Sequence, residues 1–360
     1  MNEKTFVRLI ADLNSGDFAK VEEAANTVCA LRDCDVLPSI FHALDGGTPL
    51  VQRVMLWALR NYQGLPYADL ARYLVSEDDG VREAAQVLFL EGDDTAAETL
   101  VSAVSSGDRE MQYAAVETLG QFHNTLAIHP LMSAVQSPDA DIREIAVSSL
   151  GMYRCPEVTA VLLAALADET GVRRAALCGL RGRRLSSDEL LSVMPLLSDA
   201  AEEVRAAAVY VLDAAVPDAA AEDASPRVRR AAAEVAADRT VLERLCLDAD
   251  SSVRTAAADA AAKHGLQMDD VILPLLHDAV PGVRRAAASA LGNSSGEVVL
   301  QALIAALNDP KPGIRAAAAT SLGKIGGDEA AAALEAAAKV KNPILAGIIK
   351  NALGNMAKKE

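Results

Sequence analysis

The chain has 360 residues, of which 51% are hydrophobic and only 3% aromatic, and its formal net charge is −16. A single core stops growing beyond roughly 250–300 residues, so a chain of this length divides into domains or extends as a repeat array. Residues 1–180 hold 26 acidic against 13 basic residues. We therefore expect no nucleic acid partner, because binding phosphate groups needs concentrated positive charge.

The N-terminal stretch MNEKTFVRLIADLNSGD has acidic residues where a secretion signal needs a basic end and an apolar centre. No apolar run approaches the ~20 residues that a membrane span requires. We therefore expect a cytoplasmic protein without a membrane partner. The five cysteines are scattered, which suggests no disulfide framework, and Cys29 and Cys34 lack the second pair that a metal site would need.

A two-residue pattern recurs along the chain, in which an apolar residue precedes a position that is most often Arg. The apolar residue is present in all twelve copies and the Arg in eight. Successive copies lie 30 to 32 residues apart, except for two steps of 24 and 25. A period of this size indicates a repeat array. In chain order the copies are Val21-Glu22, Val51-Gln52, Val81-Arg82, Met111-Gln112, Ile142-Arg143, Val172-Arg173, Val204-Arg205, Val228-Arg229, Val253-Arg254, Val283-Arg284, Ile314-Arg315 and Leu345-Ala346.

One unit, GEVVLQALIAALNDPKPGIRAAAATSLGKIGG, shows the structure that each copy predicts. Apolar residues at helical spacing predict a first helix over 298–307, and the segment NDPKPG ends it, because Pro cannot continue a helix. A second helix is predicted from Ile314, with Gly323 as its C-cap residue. Such a helical hairpin buries its apolar face only against neighbouring units, so we expect a one-dimensional stack. We expect more than 60% helix and no sheet.

The repeated pattern of Asp, five residues, Arg, then Ala-Ala and Leu-Gly resembles a HEAT-like repeat, particularly the short form named after the phycobilisome lyases. The resemblance implies an all-α fold, a right-handed α-solenoid of about twelve HEAT-like helical hairpins that forms a single continuous array over residues 1–360. It also implies a ladder between repeats, in which each Arg reaches Asp or loop carbonyl groups nearby. Full copies are Asp199-Arg205, Asp223-Arg229, Asp248-Arg254, Asp278-Arg284 and Asp309-Arg315.

The two short steps make the repeats near 205–254 irregular. Each leaves room for a loop, a helix and a second loop, so we expect the first helix of each to shrink to about two turns or fewer.

Candidate contact residues follow from the positions where the copies differ. Counted from the ladder Arg, offsets one and five lie one helical turn apart and share a face. Offset five is largely polar and hence exposed, and the resemblance places it on the concave surface. Exposed Trp, Tyr and Arg are the usual anchors of protein interfaces, although Trp57 could instead pack against its neighbours. The candidates are Arg53, Trp57, Glu83, Val87, Tyr113 and Glu117, with Tyr210 in a later copy.

The segment RRAALCGLRGRR concentrates five arginines in twelve residues of an acidic protein. Arg173 belongs to the ladder, whereas Arg174 and the others could grip a carboxylate or a phosphate. The alternative is a solvated loop. We include Arg174 among the candidate partner-binding residues.

No motif in the sequence indicates catalysis. None of the five histidines precedes a Glu, so the resemblance does not extend to the HEAT-like deoxyhypusine hydroxylases, which hold two irons through His-Glu pairs. HEAT-like DNA glycosylases use a basic face, and this chain is acidic. HExxH, Gly-rich phosphate loops and GxSxG are absent from the sequence. We expect a protein-interaction scaffold or regulatory adaptor without metal or cofactor; the alternative is a bilin lyase or its chaperone-like subunit.

Overall fold

The computed structural model describes residues 3–122, 125–213, 218–339 and 343–356. The protein is 77% helical, and no strand occurs within these ranges, so the prediction of an all-α fold is confirmed. The helices group into two compact units, Met1–Arg183 (unit 1) and Arg184–Glu360 (unit 2). The single continuous array over residues 1–360, its handedness and the number of hairpins stay predictions.

Unit 1 consists of helical hairpins in which an outer first element precedes a longer second helix. The third hairpin departs from this form, because its first element is one short helix continued by a 3₁₀ helix, Ala71–Val75. The α-helices are α1 (Glu3–Leu13), α2 (Phe18–Cys29), α3 (Leu37–Gly46), α4 (Pro49–Leu59), α5 (Tyr67–Leu70), α6 (Asp79–Leu90), α7 (Asp94–Val104), α8 (Arg109–Gly120), α9 (Ile128–Ala134), α10 (Ala140–Leu150), α11 (Pro156–Ala164) and α12 (Thr170–Leu180).

Unit 2 repeats the same hairpin, and the first elements of the two short steps have the predicted length of about two turns or fewer. One is a 3₁₀ helix at Asp218–Glu222, and the other has eight residues, which is about two turns. An ordinary step also has a short first helix, Asp269–Leu275, whose seven residues make it no longer than Arg239–Cys246. Residues 214–217 of the first short step lie outside the described ranges. The α-helices are α13 (Ser187–Val193), α14 (Glu202–Leu212), α15 (Pro226–Val235), α16 (Arg239–Cys246), α17 (Ser251–His264), α18 (Asp269–Leu275), α19 (Pro281–Ala290), α20 (Glu297–Ala306), α21 (Pro312–Ile325), α22 (Asp328–Ala338) and α23 (Pro343–Met356).

Short polar and Pro residues set where the second helices begin. The Asp108 carboxylate accepts hydrogen bonds from the backbone N–H groups of Glu110 and Met111, which satisfies donors that the first turn of α8 leaves unpaired. Pro281 begins α19, where its missing N–H costs nothing. The apolar residue of the repeated pattern then enters the core, as Val81 and Val283 show at 0% exposure. Second helices of neighbouring hairpins pack against one another in both units.

The glycine of the Leu-Gly pattern has a different role from the one predicted. Gly323 lies inside α21, which continues to Ile325, and the next residue is Gly326 with φ 82°. A Cβ on Gly323 would lie 2.6 Å from the Ala352 Cβ and 2.9 Å from the Ala352 Cα of α23. The predicted C-cap at Gly323 is therefore wrong: this glycine lets two second helices approach closely.

Replacing Gly323 by Ala should destabilise unit 2 by about 1–3 kcal/mol, because the added methyl group overlaps backbone and Cβ atoms of α23. The matched control is Gly347→Ala on α23, where a Cβ would meet no neighbouring atom within 4 Å. That variant should gain about 0.5–1 kcal/mol from helix propensity. Urea unfolding of the two variants measures both effects, and a Gly323→Ala protein as stable as the parent would contradict the close approach.

The ladder Arg connects two loops at once. Arg284 donates from Nη1 to the carbonyl oxygens of Asp278 at 2.8 Å and Ala279 at 3.3 Å in its own hairpin. Its Nε donates to Asp309 Oδ2 of the next hairpin at 2.8 Å, and its side chain is only 15% exposed. Asp309 in turn accepts the backbone N–H of Lys311 at 2.8 Å. One guanidinium group therefore ties a loop carbonyl, a carboxylate and the next loop together.

The same arrangement recurs through unit 2 and is also present in unit 1. Each Arg bonds its own loop and the Asp of the following copy, which makes the predicted ladder a continuous series. Arg315 bonds its own loop through the carbonyl groups of Asp309 and Pro310. The bridging pairs are Arg205 to Asp223, Arg229 to Asp248, Arg254 to Asp278, Arg284 to Asp309 and, in unit 1, Arg143 to Asp168.

Replacing Arg284 by Ala should cost about 1–3 kcal/mol of unfolding free energy, because Asp309 and two loop carbonyl groups lose their donor. The neighbouring Arg285→Ala is the control: its side chain is 50% exposed and its contact with Asp259 is 3.4 Å long. We expect less than about 1 kcal/mol there. Guanidinium chloride unfolding compares the two, and equal losses would argue against a structural ladder.

The ladder should also make unit 2 sensitive to acid. Hydrogen bonds from Arg205 and Arg229 hold the pKa of Asp223 and of Asp248 below the ordinary value. A carboxyl group with a lowered folded-state pKa stabilises the fold at neutral pH, and this contribution is lost as the pH falls from about 4 through the folded-state pKa.

Asp248→Asn should therefore lower the urea midpoint at pH 7 and flatten its decline between pH 5 and pH 3. Glu335→Gln, at an exposed position of α22, supplies the control for loss of one negative charge. An Asp248→Asn protein with the parent's pH profile would show that this carboxylate does not contribute.

Candidate functional site

Offsets one and five of the second helices form an exposed face in unit 1. On α4, α6 and α8 these positions carry six of the candidate residues, and none of the six is buried. Arg53, Glu83 and Tyr113 are exposed, whereas Trp57, Val87 and Glu117 are partly buried. We call these six residues the unit 1 patch.

Trp57 is partly covered by its own helix. The guanidinium group of Arg60 lies over the indole, with its Cζ 4.4 Å from the ring centroid, and the same group forms an ion pair with Glu91 at the end of α6. A cation over an aromatic ring is an attractive contact. Intramolecular packing therefore holds one face of Trp57, as the alternative reading of the sequence expected, and part of the side chain stays accessible to solvent.

The Arg53 side chain fills space that is free because Gly80, on the next second helix, has no side chain. A Cβ at Gly80 would lie 3.0 Å from Arg53 Nη1 and 3.2 Å from its Cδ, so the arginine side chain lies across the first turn of α6. The same geometry recurs farther along, where a Cβ at Gly171 would meet the Glu144 carboxylate. In these two hairpins, the side chain at offset one thus lies against the start of the next second helix.

Tyr113 lies among carboxylates and is 37% exposed. Burial raises the pKa of its hydroxyl group, and the negative charges of Glu117, Asp141 and Glu144 raise it further, while Arg109 opposes them. Gln86 Nε2 of α6 donates to Glu117 Oε2 of α8 at 2.8 Å, which links neighbouring helices on the exposed side. The surroundings of this aromatic ring are therefore predominantly negative.

Two arginines of RRAALCGLRGRR are already bonded within unit 1. Arg174 on α12 donates from Nη2 to Glu144 Oε1 of α10 at 2.6 Å. Arg183 donates to the carbonyl oxygens of Tyr153 and Gly179, both at 2.7 Å. Burial lowers the pKa of Arg183. The interpretation as an anion-gripping spot is wrong for Arg183, because its donors hold the ends of α10 and α12.

Tyr210 lies in unit 2 and is already bonded. Its hydroxyl group donates to Glu234 Oε2 at 2.6 Å, and Arg230 Nε lies 3.4 Å from Glu234 Oε1. Burial and the Glu234 carboxylate raise the pKa of Tyr210.

A groove of unit 2 was missed by the sequence reasoning, although it uses the same two offsets. It runs along α17, and burial raises the pKa of Asp259 while Arg285 opposes this shift. Asp259 stands at offset five, so its sequence position already indicated that it lies on this face. The sequence did not indicate that polar residues around it line a groove. The polar side chains that line the groove are Arg230, Glu234, Ser251, Ser252, Thr255, Asp259 and Lys263.

Among the described residues no group of three or more His, Cys, Asp or Glu side chains is placed to hold a metal ion. In the same part of the chain, every helix is too short or too polar to cross a bilayer.

Comparison with known proteins identifies the repeats. A family profile of HEAT repeats matches residues 97–181 and 269–353. A crystal structure of importin beta matches with 15% identity and a TM-score of 0.59, covering 99% of this chain and 56% of that one. Yeast importin-beta (Kap95p) and a Kap95–Nup1 complex each match with 13% identity and a TM-score of 0.58, covering 98% of this chain and 60% of theirs.

These matches define the class of protein. The chain spans less than two thirds of the importin-beta chains, and at 13% to 15% identity the likeness shows the fold alone. None of the curated proteins matches the sequence significantly. The chain is an all-α array of helical hairpins. More particularly, it contains HEAT repeats over residues 97–181 and 269–353, which supports a HEAT-like repeat protein.

Proposed function

We propose that this protein is an interaction scaffold or regulatory adaptor that binds another protein on the concave face of its repeats. The contact surface is centred on the unit 1 patch, with Arg174 of unit 1 and Tyr210 of unit 2 as further contact residues. One observation carries the proposal: Trp57 and Tyr113 occupy positions that the fold leaves accessible. The positions equivalent to Trp57 hold Thr27, Ser148 and Thr320, and those equivalent to Tyr113 include Glu23 and Glu144.

The aromatic residues of the patch have the chemistry of anchor residues in a protein interface. Large aromatic side chains and arginines contribute most of the energy in many protein interfaces, because a partner removes their apolar area from water. Val87 adds an apolar contact between them, and Glu83 adds a polar rim. The HEAT-repeat fold is typical of proteins that work by binding, and Kap95p is described in complex with Nup1.

A binding role fits the use of charged groups better than an enzymatic role. The recurring Asp and Arg side chains bond each other and loop carbonyl groups, which leaves them unavailable as acid or base. We therefore propose that the protein is not an enzyme and that it works through the accessible side chains of the unit 1 patch.

Trp57→Ala should weaken capture of the protein partner by about 2 kcal/mol, roughly 30-fold, because an interface aromatic loses its buried area. The thermal midpoint should stay nearly unchanged, since the ring is only partly buried. Phe18→Ala is the control, because Phe18 is 80% exposed on α2 and lies outside the patch. The partner is first identified by affinity capture from the source cell and mass spectrometry, and its affinity is then measured for each variant.

A Trp57→Ala protein that unfolds at a lower temperature but retains the partner would place Trp57 in the core and remove it from the contact surface. The alternative bilin lyase function is tested separately by mixing the protein with the pigment. Our proposal expects no pigment-induced absorbance, and a stable absorbing complex would favour the lyase or its chaperone-like subunit.

A further inference from the structure

The exposed face of unit 1 contains a seam between α6 and α8. Other neighbouring second helices of this unit pack closely, whereas α6 and α8 touch at only a few residues. The 3₁₀ helix Ala71–Val75 lies against both of them and acts as a wedge. The wedge is fixed in place, because Leu74 is 1% exposed and the Tyr73 hydroxyl group donates to the carbonyl oxygen of Leu44 at 3.2 Å.

The two sides of the seam carry different chemistry. Glu83 and Val87 lie one turn apart on α6, and Tyr113 and Glu117 lie one turn apart on α8. The hydrogen bond from Gln86 to Glu117 crosses the seam on this side. A side chain that approaches α6 and α8 from solvent therefore meets an aromatic ring, an aliphatic group and carboxylates.

Charge at the seam is not balanced within the protein. Asp141 is paired with Arg109 at 2.7 Å, and Glu144 is paired with Arg174 at 2.6 Å. Glu117, by contrast, accepts its hydrogen bond from a neutral amide. Glu83 is exposed and has no ion-pair partner among the residues that the structure describes. Two carboxylates of the patch therefore have no ion pair among the described residues, although Arg53 of α4 lies across the first turn of α6.

We propose that this seam binds a lysine or arginine side chain of the protein partner, so that the partner's contact segment is basic. The inference rests on the proposed function and specifies the partner at the same surface. The cation lies against the Tyr113 ring and pairs with Glu83 and Glu117, while its aliphatic stem contacts Val87. An acidic segment would be repelled, and a purely apolar one would bury Glu83 without a partner.

Decameric arginine and decameric glutamate peptides test the proposal, because each contains one residue type and the two carry charges of opposite sign. Affinity is measured by fluorescence anisotropy of the labelled peptides at low and moderate salt. Trp57 is the single tryptophan of the chain and lies on α4 beside α6, so its fluorescence reports where the peptide binds. The arginine peptide should bind and change Trp57 fluorescence, and the glutamate peptide should do neither.

The combined Glu83→Gln and Glu117→Gln variant should bind the arginine peptide about 4- to 20-fold more weakly, since an exposed ion pair contributes a few-fold each. The control combines Glu98→Gln on α7 with Glu157→Gln on α11, two exposed acids on first helices. It removes the same charge and should change affinity less than about 2-fold. Tyr113→Leu keeps an apolar side chain and should weaken binding about 2- to 5-fold through loss of the cation–π contact.

Equal losses in the seam variant and the control would show diffuse attraction to an acidic protein and would overturn the proposal. So would an unchanged Trp57 spectrum on saturation with the arginine peptide. Capture of the natural partner by each variant distinguishes the scaffold function from the basic-segment inference. If Trp57→Ala weakens its capture but the two Gln substitutions do not, the scaffold function stands and the basic-segment inference fails. If neither affects capture, the proposed contact surface is wrong as well.

Discussion

The arginine that bonds two successive loops is the interaction on which the repeat architecture depends. Arg254 shows the arrangement: its Nη1 donates to the Asp248 carbonyl at 2.8 Å, and its Nε donates to Asp278 Oδ2 at 2.8 Å. Asp278 is committed at the same time to the backbone N–H of Val280. These shared hydrogen bonds fix the spacing and direction of adjacent hairpins, because their donors and acceptors would be left unpaired in another geometry.

Unit 1 relaxes this constraint where the candidate surface lies. Gln52 and Gln112 replace the arginine, and each donates to a carbonyl group of its own hairpin only, Leu44 and Val104 respectively. Within the third hairpin, Tyr67 and Phe89 form an edge-to-face contact with centroids 5.1 Å apart. The wedge at Ala71–Val75 and the seam beside it lie in this part of unit 1.

Repetition explains which features could be predicted from the sequence. The hairpins, the buried apolar position and the ladder each recur, so several copies support one interpretation. Gly323 occurs in a recurring Leu-Gly pair too, but a cap and a close approach have the same local sequence, and only Ala352 of another helix distinguishes them. Arg183 was misread because clustering along the chain does not reveal that its side chain turns toward the carbonyl groups of Gly151 and Tyr153.

Carboxylates of one chemical type thus serve two purposes in this chain. Asp223 is 12% exposed and bonded to Arg205, so its charge is already compensated and stabilises the fold. Glu83 stands on the exposed face, and its charge remains available to a partner. The total charge of −16 does not reveal this difference, because it adds both kinds together. What selects a partner is the uncompensated part, since it keeps its field at the surface while paired charges largely cancel.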